Sequence, residues 1–202
     1  MNFFYFVSCK ITLSFAVYKY DILHKTDFTA SSIMSFSPLK ILLLLIASLT
    51  LLVGCGQSDD QRKFEQKALQ PANGFTRTAP DGSIIDNDPD DWRVSPFFQG
   101  LVEISAAYPN PVLTNNQVTI EFFVTGIEAV MGLEVVVRYD DGFFRSVYIN
   151  DTAPFPPGLT LVQINPLELG RFNNAESARG LHRVIFFDRN ENIITYGDIM
   201  VE

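Results

Sequence analysis

The chain has 202 residues, 47% of them hydrophobic, and a formal net charge of −8. That length holds one ordinary domain with tails. The acidic balance argues against a nucleic-acid partner, which rewards basic surfaces, and against electrostatic adsorption to an anionic membrane.

In chain order, the first readable signal is the apolar run Ile41 to Val53 (ILLLLIASLTLLV), preceded by Lys40 and followed by Gly54 and Cys55. Thirteen residues are too few to cross a bilayer core, which takes about 20. The order basic residue, apolar stretch, small residues is that of a signal peptide. Met34 stands where an initiator belongs, so translation is expected to begin there. Residues 1–33 are then upstream sequence and 34–54 the signal peptide.

The tetrad Leu52-Val53-Gly54-Cys55 resembles a bacterial lipobox. The resemblance implies cleavage after Gly54, a thioether diacylglycerol on Cys55 and a further acyl chain, palmitate-like, on the new amino terminus. A thiolate is the common side chain nucleophilic enough to take the lipid near neutral pH. Two or more chains anchor stably, at about 0.8 kcal/mol per buried methylene. The implied address is the cell envelope, and Gly56, standing where an Asp signals inner-membrane retention in enterobacterial lipoproteins, points to the outer membrane. The other cysteine, Cys9, lies upstream, so the mature chain has no internal disulfide and no thiolate metal cluster.

Leaving out Lys10, Lys19, Lys25, Lys40, Asp21 and Asp27, the chain from Cys55 onward has 11 basic and 21 acidic residues, a net charge of −10. Residues 55–91 read as a flexible acidic tether, rich in turn formers and with at most a short helix over Asp60 to Leu69. A free tether of that length has a root-mean-square span of roughly 30 to 35 Å. Asp86, Asp88 and Asp90 form a weak candidate for calcium, but the run lacks the glycine and the terminal glutamate of an EF-hand loop. No other metal and no cofactor is indicated.

Residues 92–202 read as strand after strand: Leu101 to Ala106, Val118 to Thr125, Leu133 to Tyr139, Phe143 to Ile149, Leu159 to Ile164, Arg183 to Phe187 and Ile193 to Val201. In VTIEFFVT, Val118, Ile120, Phe122 and Val124 share one face, with Thr119, Glu121 and Thr125 on the other. Asp140-Asp141-Gly142 and Arg189-Asn190-Glu191-Asn192 carry hairpin chemistry. Seven short strands suit an all-β, antiparallel, immunoglobulin-like sandwich of about seven strands, with a small closed barrel as the competing closure.

The stretch AYPNPVLTNNQVTIEFFV, residues 107 to 124, resembles the opening of immunoglobulin-like carboxy-terminal modules of Bacteroidota-type secreted proteins. The resemblance implies the fold. The ending YGDIMVE departs from the sorting-tail pattern of that family, so the sorting function is not carried over.

Residues suited to chemistry are few. His182 is the one histidine of the mature chain, no G-x-S-x-G elbow is present, and Asp140 with Asp141 sits in a turn where Asp is expected for backbone reasons. Arg179 and Arg183 read equally well as contacts for an acidic partner or as solvated charge. Trp92 reads as the point where the tether docks. In DTAPFPPG, three prolines hold Phe155 on a stiff loop, either as an aromatic anchor or folded back on the core. Two functions follow. One is a non-enzymatic envelope lipoprotein that binds another envelope protein through a sheet edge or through the loops Asp151 to Gly158 and Arg171 to Gly180. The other is a carbohydrate-binding or glycan-hydrolysing surface protein, for which a pocket ringed by Trp92, Tyr148 and Phe155 would speak.

Overall fold

The computed structural model describes residues 58–126 and 129–202. The expected signal peptide and the residues that resemble a lipobox, Leu52, Val53, Gly54 and Cys55, lie outside the described residues. None of the described helices is long and apolar enough to cross a membrane.

All seven expected strands are present, with ends moved by up to three residues. In chain order the elements are α1 (Asp59–Ala68), β1 (Arg77–Thr78), β2 (Ile84–Asp86), β3 (Arg93–Val94), a 3-10 turn (Pro96–Phe98), β4 (Val102–Ile104), β5 (Val118–Val124) and β6 (Leu133–Arg138). They continue with β7 (Phe144–Asn150), β8 (Gly158–Ile164), the single-turn helices α2 (Pro166–Leu169) and α3 (Ala175–Ala178), β9 (Gly180–Phe187) and β10 (Ile193–Val201). One sheet has the order β3-β10-β9-β6-β7, a second β4-β5-β8, and β1 pairs with β2. Every pairing between these strands is antiparallel.

The alternation in the sequence places the core. Ile120 and Phe122 from β5 and Val162 and Ile164 from β8 face Val135 and Val137 from β6 and Val184 and Phe186 from β9. Side chains of period two thus close two sheets on one apolar layer, the arrangement of a β-sandwich. Phe122 stacks on Phe186 at 6.1 Å between ring centroids.

The five-stranded sheet is covered on its other face as well. Val136, Ile185, Ile193 and Tyr196 point away from the sandwich core and are buried by Phe64 and Ala68 of α1. These two positions, four apart, share one helix face. Ser58 caps the helix by accepting the Gln61 N–H at 3.2 Å, and Asp59 and Asp60 occupy the first turn, where the helix dipole favours negative charge. The described part of the segment expected to be a flexible tether is therefore folded. Residues 59–91 form a helix and a two-stranded hairpin strapped to the sandwich. Phe64 and Ala68 supply the apolar contact that a free linker lacks.

A buried polar cluster fastens the strap. Asp198 on β10 pairs with the guanidinium of Arg183 on β9 through two contacts, one of them Nη2 to Oδ2 at 2.8 Å. Asp198 also accepts the Asn73 N–H at 2.8 Å, while Arg183 Nη1 donates to the Lys67 carbonyl at 3.0 Å. Asp91 accepts the Thr76 N–H at 2.7 Å and the Asp198 N–H at 3.1 Å. Arg183 is thus neither a solvated charge nor a partner contact. Asn110 of the Tyr-Pro-Asn-Pro turn is fully buried, donating to the Thr76 and Asp198 carbonyls and accepting the Met200 N–H at 2.9 Å. The turn that leads into β5 thus also ties the strap to the last strand.

Candidate functional site

Trp92, Tyr148 and Phe155, the candidate interaction residues, are not on the surface together. Phe155 is buried at 1% exposure and meets Phe122 edge-on at 5.8 Å, so the stiff proline loop turns its aromatic ring inward. Trp92 is buried beside Phe186, and Gly197 leaves the space its indole fills, since a Cβ there would overlap the ring. Trp92 accordingly does mark the docking point of the preceding segment. Tyr148 is partly buried against the same core. A pocket ringed by these three residues is not formed, because two of them serve the packing.

The three aspartates weighed for calcium have separate tasks. Asp90 pairs with Lys67 at 2.9 Å and Arg93 at 3.3 Å, and the Lys67 contact holds its carboxyl below the usual range. Asp88 accepts the Asp90 N–H, and Asp86 stands exposed at the end of β2. Among the described residues no group of three or more His, Cys, Asp or Glu could hold a metal ion. His182 lies on β9, half-buried, with Nε2 2.7 Å from the Ala178 carbonyl; burial pushes its pKa down.

A different set of residues does converge at the surface. The β6–β7 hairpin closes through the Tyr139 N–H to the Phe143 carbonyl at 2.9 Å, with Gly142 at φ 80° as the turn requires. The connection after α2 brings Arg171 over this tip. Its guanidinium lies 5.4 Å from the Tyr139 ring centroid and 5.9 Å from that of Phe143, and its Nη2 is 2.6 Å from Asp141 Oδ2. The two rings are nearly parallel, 6.3 Å apart. Arg145 approaches Tyr139 at 5.9 Å, and its Nη1 is 3.4 Å from the Arg171 carbonyl. The Phe143 N–H and then the Arg171 guanidinium hold the Asp141 carboxyl below its ordinary pKa, whereas burial pushes the Tyr139 hydroxyl up.

The result is a rigid aromatic and arginine surface with a strongly exposed rim. Phe172, next in the chain to Arg171, is 74% exposed, and Phe143 is 57% exposed. The backbone at Phe172 is tied down, its N–H donating to Ser177 Oγ at 3.2 Å. Large apolar groups held out on a braced surface avoid much of the ordering cost of association. Tyr and Arg beside exposed aromatic side chains match the composition of protein-binding hot spots.

Sequence reasoning had one half of this site in the Arg171 to Gly180 loop and took Asp140 and Asp141 as turn residues. It did not join them, because 30 residues separate Asp141 from Arg171 and only the tertiary fold brings them together. Comparison with protein-family models finds no match, and a search of curated proteins finds no matching relative.

Proposed function

We propose that this chain is a lipid-anchored, non-enzymatic binding module of the cell envelope, held in the outer membrane by an acylated Cys55 and docking another envelope protein through its hairpin tip. The reading rests on one observation above all. Phe143 and Phe172 are exposed next to a base in which Arg171 is braced on Tyr139 and Asp141. Exposed phenylalanines cost solubility, and an aromatic rim flanked by arginines is what a protein partner would bury. The tip also gathers Arg138, Arg145 and Arg171 around Tyr139, three basic groups on an otherwise acidic chain. Glycan binding is the second reading. It has less support, because a sugar stacks on a bare ring face and Arg171 already lies over Tyr139 and Phe143.

A photo-crosslinking phenylalanine analogue placed at Phe172 in the full-length protein tests the proposal in intact cells. One envelope protein should be captured in near-stoichiometric yield, and Phe143→Ser should reduce that capture by about 30-fold, the equivalent of a 2 kcal/mol hot-spot loss. Discrete glycan adducts would favour the second reading. The absence of any discrete adduct would count against both.

A further inference from the structure

Three of the four edges of the two sandwich sheets carry the guards that natural edge strands use. The strand β3 has two residues. The strand β4 has three, one of them Glu103. The strand β7 carries Arg145 and is bulged opposite Val135 and Val136. The strand β8 differs from all of them. Its seven residues, GLTLVQI, contain no charge and no proline, and its register with β5 is unbroken from Gly158 to Ile164.

The direction of its free backbone groups follows from β5. Thr119 exchanges backbone hydrogen bonds with Tyr108, and the Glu121 carbonyl accepts from Ser105, so these residues turn their amides toward the β4 side. Val118, Ile120, Phe122 and Val124 therefore bond to β8, at Ile164, Val162, Thr160 and Gly158. The alternate residues Leu159, Leu161 and Gln163 are left to present their N–H and C=O groups to the open edge. The same residues place exposed side chains on the outer face of the sheet, where Leu159 lies opposite the exposed Phe123.

We infer that β8 pairs antiparallel with β8 of a second copy of this chain, joining two three-stranded sheets into one six-stranded sheet across a two-fold axis. Such an interface is self-complementary, as a two-fold contact must be. It would run Leu159, Leu161 and Phe123 of both copies into one apolar stripe. Charge also permits it, although each mature chain carries −10. The meeting strands are neutral, and the nearest acid of the outer face, Glu121, lies one strand back on β5. Three strand spacings, about 14 Å, would separate Glu121 from its symmetry mate, beyond the Debye length of about 8 Å at physiological salt.

The test is sedimentation of the native full-length protein in an excess of detergent micelles, with amide hydrogen exchange measured in parallel. A concentration-dependent dimer is expected, in which the Leu159, Leu161 and Gln163 amides are protected at high concentration and exchange freely at low. Leu161→Arg places like charges near the axis and should weaken the dimer at least tenfold. Leu161→Pro should do the same while preserving the fold, because the N–H it removes points away from β5. A monomer at every concentration with all three amides exchanging fast would overturn the inference. So would a dimer indifferent to both substitutions, or protection that arises only when a different protein is added.

Discussion

Asp91 is a carboxyl buried in the interface between the strap and the sandwich, close to Asp198 and Asp88. Burial, with the two neighbouring carboxylates, pushes its pKa from 3.8 up to about 7, against the Thr76 N–H that it accepts and the charge of Arg183. The charged groups that act on it are Asp88 from its own segment, Arg183 from β9 and Asp198 from β10. A carboxyl whose folded pKa lies above its unfolded value costs nothing at low pH. The cost sets in as pH rises past about 4 and is complete above about 7. A shift of this size corresponds to a cost on the order of 4 kcal/mol. Asp91→Asn removes the titration but puts an NH2 where one accepting oxygen was, so one of the Thr76 and Asp198 N–H groups loses its acceptor. In urea unfolding, the variant should be less stable than the wild type near pH 4, by about 1 to 3 kcal/mol for the buried N–H left without an acceptor, and should gain on it steadily up to pH 8. A stability difference that does not change with pH would show that Asp91 is not the titrating group.

At the scale of elements, the sandwich was legible because its strands are half-buried and alternate, so that period two is written into β5 and β6 directly. The strap was legible only in part. A short helix near Asp60 to Leu69 is suggested by residue type, but Phe64 and Ala68 alone do not reveal that a sheet face awaits them. The sign of that face lies elsewhere, in β10, where Ile193 to Ile199 are buried without alternation because both sides of the strand are covered. The tip was the least legible, since stacking of Arg171 on Tyr139 depends on the path of the whole β8–β9 connection. The strap makes a direct prediction. Phe64 packs on Tyr196 at 5.1 Å between ring centroids within its own buried cluster. Phe64→Ala should destabilise the protein by about 3 kcal/mol, the lower end of the cost of truncating a buried phenylalanine. Urea unfolding measures this, and a cost near zero would mean that the segment is a free tether after all.

For the molecule as a whole, the strap changes the meaning of the proposed anchor. A flexible linker to residue 91 would hold the sandwich roughly 30 to 35 Å from the lipid. With the described fold beginning at Ser58, three peptide steps separate it from Cys55, about 10 Å at full extension. The proposed acyl chains would then hold the body close against the headgroups. The net charge of −10 would disfavour its lying flat on an anionic leaflet. A module so placed suits a partner already in the membrane plane better than one that must be reached across a wide gap. All of this stands on the modification of Cys55, and the intact mass of the mature protein purified from its native membranes tests it most directly. The account predicts a chain that starts at Cys55 and carries a diacylglycerol and a further acyl group. A chain that retains residues before Cys55, or one with an unmodified thiol there, would contradict it.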